Sequence, residues 1–248
     1  EDTGVDDTGG EDTGGEDTGG DDTGGEESDE DTDACEHPYD PVHRTGWTKT
    51  YASFTDGAMN TITESSDGLT SDPWGYGEDF VYAVQEIWYG DTTDEIEITA
   101  TRYVGCLRTE AGVSLHNLGT SYVAASGELS ETRIEPPQTY LNPADDTEPG
   151  WPISFTLVNE GDLGSSATPV SGDYFNLGLE EVIVPSGTYE AWHISSTYQM
   201  EIATDLIPVE LNVSADFWYA EDIGVIREIH IDTATGGTML SRELVSMD

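Results

Sequence analysis

The stretch 209–231, VELNVSADFWYAEDIGVIREIHI, limits the fold more than any other part of this chain. Val209, Leu211, Val213, Ala215, Phe217 and Tyr219 fall on one parity, and Glu210, Asn212, Ser214 and Asp216 on the other. A period of two held this long describes a strand with one face on a core and the other in water. The corner Glu221-Asp222-Ile223-Gly224 follows, then a second β-branched run over 225–231. Two strands cannot bury that face alone, so the partners must come from elsewhere in the chain.

The punctuation after Cys35 supplies them. Strands are predicted over 47–54 and 60–64, around a turn at Asp56-Gly57, and over 80–89, which has few charges on either parity. In 95–106, Ile96, Ile98, Ala100, Val104 and Cys106 share a face broken only by Arg102. A short partner over 113–118 follows the turn Glu110-Ala111-Gly112, and another strand starts near Ile153. Residues 179–184 and 188–202 form a hairpin through Pro185-Ser186-Gly187, and 239–245 closes the chain after a turn over 232–237. Residues 67–77, 90–94 and 161–172 read as turns or loops, and 121–149 fits no element. No segment sustains a 3.6 period, so little helix is expected. The expected fold class is mainly β: one curved antiparallel sheet.

The charge is extreme. Seven Lys and Arg face 52 Asp and Glu, for a formal net charge of −45. Residues 1–34 repeat an Asp-Thr-Gly-Gly-Glu unit and hold 16 of the acidic groups, no base, and Val5 as their single aliphatic. Such a segment cannot offset its ordering entropy, so a disordered acidic linker over 1–34 is expected ahead of a β domain over 35–248. Asp29, Asp31 and Asp33 imitate the opening of a calcium loop, but Ala34 and Asp40 stand where Gly and Glu are required. The β domain keeps 36 acids against seven bases, and Lys49 is its sole lysine. That field disfavours nucleic acid and anionic lipid surfaces as partners and leaves weak, non-specific binding of divalent cations. No apolar run reaches the roughly 20 residues of a membrane span, so direct membrane insertion is not expected.

Cys35 and Cys106 fit one disulfide better than a metal site, with two buried free thiols as the alternative. A disulfide points to an oxidising, extracellular or periplasmic address. A chain that opens inside a repeat, without Met, is expected to be a processed or truncated form. A tether ahead of a folded domain suits a lipoprotein whose lipidated cysteine lies upstream of Glu1.

Three stretches, in order, are YDPVHRTGWTKTY (39–51), EEVIVPSGTYEAWHI (180–194) and FWYAEDIGVIREI (217–229). The first carries Gly46-Trp47 and Tyr51, the second a Pro-x-Gly turn and Thr188-Tyr189, the third Trp218-Tyr219-Ala220 and Gly224-Val225. Together they resemble the TapB-like family of uncharacterised bacterial exported proteins. The resemblance implies a LolA/LolB-like half-barrel and an exported location, and it brings no catalytic residues. Asp222-Ile223 departs from the Pro-Gly-Val type of turn, and Lys and Arg are unusually sparse.

No catalytic, cofactor-binding or metal-ligating set is expected. The five histidines form no His-x-His or His-Glu-x-x-His, no Gly-x-Ser-x-Gly elbow exists, and His193 and His230 read as polar-face strand residues. Trp47, Trp88, Trp192, Phe217 and Tyr219 are expected in the core or on the concave face. Trp74, Tyr76 and Trp151 lie in Gly- and Pro-rich segments that strand packing explains least, and they are the candidate contacts to a ligand or partner. The expected function is non-covalent: a surface-tethered exported domain, extracellular or cell-surface with the periplasm second, that binds an apolar ligand or a surface protein. One alternative is a structural subunit of an extracellular assembly, pairing through an exposed edge such as 239–245. A carbohydrate-binding or carbohydrate-active protein is the other.

Overall fold

The computed structural model describes residues 35–55, 58–78, 80–90, 95–142, 149–161, 164–202 and 209–248. The expected linker, the acidic triplet at 29–33, the Asp56-Gly57 turn and most of the turn over 90–94 lie outside those residues. Twelve strands make up the rest: β1 (Thr48–Thr55), β2 (Ala58–Thr70), β3 (Phe80–Tyr89), β4 (Ile96–Thr109), β5 (Gly112–Ala124), β6 (Leu129–Leu141), β7 (Gly150–Gly161), β8 (Gly164–Val184), β9 (Gly187–Ile202), β10 (Val209–Ala220), β11 (Gly224–Asp232) and β12 (Thr238–Met247). Each pairs antiparallel with its neighbours in sequence, and β1 pairs with β12.

The sheet is therefore a closed up-and-down barrel, and the expected open half-barrel is corrected. Lys49 to Thr55 run against Met247 to Leu240, across nearly the full length of the domain. Closure satisfies the two rows of backbone groups that an open sheet would leave at its edges. It also removes the edge on which the assembly alternative relied. Residues 239–245 lie inside β12, bonded to β1 on one side and β11 on the other.

Three segments read as loops or left unplaced are also strand. Asp67 to Thr70 extend β2, residues 164–172 open the 21-residue β8, and residues 121–141 supply the end of β5 and all of β6. Their outward positions carry Ser, Thr, Glu and Pro, so apolar residues recur too thinly to mark a strand. Elsewhere the expected pattern holds, and β3 spans the ten residues assigned to it. Among the described residues the sole helical piece is a 3-10 turn at Pro41–His43.

Residues 35–47 lie across the barrel end at which β4 and β6 finish. Cys35 is bonded to Cys106 of β4, with Cα atoms 6.2 Å apart. Closing a loop of this length stabilises the fold by roughly 4 kcal/mol in the chain-entropy picture. The Cys35 amide donates to the Tyr82 hydroxyl, Trp47 Nε1 donates to the Pro41 carbonyl at 3.1 Å, and the Tyr140 hydroxyl donates to Asp40 Oδ2 at 2.8 Å. Trp47, Tyr82, Val104, Leu115 and Tyr219 are buried beneath this plug. The far end of the β8–β9 hairpin reaches β12, where the Ser186 amide donates to the Leu244 carbonyl at 3.1 Å. Val182, Val184 and Ala191 pack there with Trp218, Ala220 and Ile226.

Outward positions of β8 and β9 include exposed Ser171, Asp173, Thr197, Gln199 and Glu201. The same β8 strand also exposes Phe175, Leu177, Leu179 and Ile183.

Candidate functional site

Strand alternation sends every second side chain into the lumen, and there they leave a cavity of about 340 Å³. That lies within the usual range for small-molecule sites. Its two sides differ in chemistry. From β7 to β10 the lining is Ile153, Phe155, Leu157, Val170, Tyr174, Ser196, Tyr198, Met200, Phe217 and Tyr219, with no charge. From β1 to β4, β11 and β12 it includes Lys49, Glu64, Glu86, Arg102, Glu228, His230 and Arg242. Three of the seven Lys and Arg of an intensely acidic chain thus point inward.

Glu64 is the hub. Its Oε1 lies 2.9 Å from Arg102 Nη2 and 4.0 Å from Arg242 Nη1. Its Oε2 accepts the Tyr51 hydroxyl at 3.2 Å and lies 3.5 Å from Lys49 Nζ. Burial alone would raise this carboxyl, but Lys49, Arg102 and Arg242 together outweigh it and hold it below its ordinary value. Arg102 Nε also reaches Glu86 at 3.5 Å, and Trp88 Nε1 donates to the other Glu86 oxygen at 3.4 Å.

Glu228 forms a second node. Arg242 Nε lies 2.5 Å from its Oε2, and His230 Nε2 2.6 Å from its Oε1. Burial pushes this carboxyl up too, yet Arg242 and His230 bring it down to about 2. His230 Nδ1 in turn is hydrogen-bonded to the Tyr198 hydroxyl at 3.3 Å. Burial, then the charge of Glu228, raises the Tyr198 phenol to about 12. A bulge opposite Trp218 and Tyr219 leaves Ile226 unpaired, which lets Val225 and Glu228 both face inward.

The candidate aromatics divide. Trp74 and Tyr76 lie together, ring centroids 6.2 Å apart, on the outside of the barrel. Trp74 packs edge-on against Tyr103 at 5.1 Å and over Gly119. Gly119 is in the left-handed region (φ +140°), and a Cβ there would meet the Thr132 carbonyl at 2.2 Å and the Trp74 ring at 2.9 Å. Its missing side chain is the seat for Trp74. Asp72 fixes the loop by accepting the amides of Trp74, Gly75 and Gly77. Trp151 is elsewhere: it stacks on Tyr174 at 5.1 Å and donates to the Thr139 carbonyl. The three therefore form no common surface.

Trp88, Phe217 and Tyr219 line the cavity, while Trp47 and Trp192 belong to the core at the plug end. His230 points into the lumen, contrary to its expected polar-face role. His193 is on the outer wall, stacked on Trp218 at 4.5 Å between Glu180 and Asp216.

Glu78, His116 and Ser114 form a row with spacings of 2.9 and 3.3 Å, the connectivity of a hydrolytic triad. Ser114 is buried on the outer wall beneath the loop, however, and its hydroxyl donates to the Leu107 carbonyl. We read the row as structural. It uses the space left by Gly105, where a Cβ would meet Glu78 at 2.7 Å.

Sequence reasoning missed the charged network. Its trace was visible at Arg102, which interrupts the apolar face of β4, and at Lys49, the one lysine. Neither could be read as part of a network, because the carboxylate that pairs with both, Glu64, lies on another strand.

The DUF3108-like family profile matches residues 130–243. That span holds the second and third stretches on which the TapB-like resemblance rests, and not the first. The fold is similar to that of a candidate lipoprotein from Parabacteroides distasonis, at 11% identity and a TM-score of 0.52, over 83% of this chain and 96% of that one. It is similar as well to a candidate exported protein with a YmcC-like fold from Bacteroides fragilis, at 15% identity and a TM-score of 0.51, over 87% and 99%. At these identities the likeness is one of fold. No curated protein matches the sequence.

Proposed function

We propose that this chain is an exported binding barrel that takes a small ligand with an apolar body into its lumen, non-covalently, at the bacterial cell surface or in the periplasm. The cavity carries the reading: an uncharged wall from β7 to β10 faces space that the protein's own side chains leave unfilled. Apolar pockets with a few convergent polar groups are the usual form of small-molecule sites. The location draws on the Cys35–Cys106 bond, which suits an oxidising compartment, and on the lipoprotein and exported-protein descriptions of the two fold neighbours. The TapB-like resemblance adds the same address.

Displacement of the neutral fluorescent probe N-phenyl-1-naphthylamine tests the reading. The wild-type chain is expected to take up the probe saturably. Val170→Phe, which places a ring in the cavity, should weaken uptake roughly tenfold, the scale of 1.4 kcal/mol. Unsaturable uptake, or equal uptake by both proteins, removes the lumen as the site.

A further inference from the structure

We propose that the ligand is a single-chain carboxylate of the fatty-acid class, its head held by Arg102 and Arg242 and its chain laid along the β7–β10 wall. This deepens the lumen reading and rests on it. The argument is one of unused valence.

A guanidinium has five N–H donors, and a carboxylate has two oxygens. Arg102 is engaged through Nη2 with Glu64 and through Nε with Glu86. Arg242 is engaged through Nε with Glu228, and its Nη1 stands 4.0 Å from Glu64. Each arginine thus has donors beyond those contacts. The four carboxylates of the lining are engaged as well: both oxygens of Glu64, Glu86 and Glu228 face protein partners, and Asp40 accepts the Tyr140 hydroxyl.

Exposure points the same way. The Arg102 and Arg242 side chains keep 21% and 13% of their surface and line the cavity, against 2% for Glu64, 8% for Glu228 and 13% for Glu86, whose two oxygens are held by Arg102 and Trp88. A molecule entering the lumen therefore meets the donor side of the network. Two guanidiniums already converge on one carboxylate oxygen of Glu64. Their planar forks match a second carboxylate better than a hydroxyl or an ammonium head.

Isothermal titration of the disulfide-bonded wild-type chain at about pH 7.5 separates the head groups, because chain length is held constant. The ligands are dodecanoate, dodecanol and dodecyltrimethylammonium. Dodecanoate is expected to bind at least roughly tenfold more tightly than either of the others. Equal binding of dodecanol, or tighter binding of the ammonium, overturns the head-group assignment and leaves lumen binding standing. Failure of all three to bind overturns both.

The paired variant Arg242→Gln/Glu228→Gln removes one charge of each sign, so the charge balance of the lumen is kept. Its preference for dodecanoate over dodecanol should fall at least roughly fivefold, and an unchanged preference also overturns the assignment.

Discussion

On β1 to β4, β11 and β12 the cavity lining carries six charged side chains, and on β7 to β10 it carries none. The charged side is tied together: Glu64 alone gathers Lys49, Tyr51, Arg102 and Arg242 from three other strands. The uncharged side packs by shape and borders unfilled space. The contrast shows how one barrel holds its register and still leaves room. Directional pairs fix the half that includes the β1–β12 seam, so the other half needs no filling to define the fold.

The largest break in that comparison should come from Glu64→Leu. It leaves buried Lys49 without a carboxylate and takes one partner each from Arg102 and Arg242, and the loss is expected at roughly 3–5 kcal/mol by urea denaturation. A loss under about 1 kcal/mol would mean the charged half does not hold the seam.

Acid attacks the same half by titration. Glu228 is held at about 2 against an ordinary 4.5, and Glu64 is also lowered. A carboxyl depressed by folding contributes stability that is fully present above its unfolded value and lost as pH falls through its folded one. The urea midpoint should therefore drop between about pH 4.5 and 2, with Glu228 alone accounting for roughly 3 kcal/mol. The series needs about 0.5 M salt, so that relief of the acidic self-repulsion does not mask it. A flat midpoint across that window contradicts the network.

Outside the barrel, charge should matter little. Arg133 pairs with Glu160 at 2.7 Å on the half-exposed outer wall. Arg133→Ala is expected to cost less than about 1 kcal/mol in the same assay. A cost equal to that of Glu64→Leu would erase the distinction between inner and outer pairs.

Much of the strand content was legible because alternation is local. The period in 209–219 and the low charge of 80–89 report burial directly, and β10 and β3 follow. The Cys35–Cys106 bond was legible as the better of two options. Closure was not, since it depends on Lys49 to Thr55 meeting residues 240–247, and no local period encodes that pairing. The start of β8 was hidden because Ser165, Ala167 and Pro169 face outward, leaving only Thr168 and Val170 buried. At the site, Trp74 and Tyr76 stood out as unexplained aromatics, yet their explanation is the gap at Gly119. The lumen arginines looked like interruptions because a charge on a core parity makes sense only once its counter-charge arrives from another strand.

Methyl NMR of the wild-type chain titrated with dodecanoate tests the central claim most directly. The account predicts that Ile153, Leu157, Val170, Met200 and Leu240 shift and show contacts to the ligand chain, while the outward Met59, Leu69 and Ile183 stay still. Shifts confined to those outward methyls would place the ligand on the outer wall and contradict it.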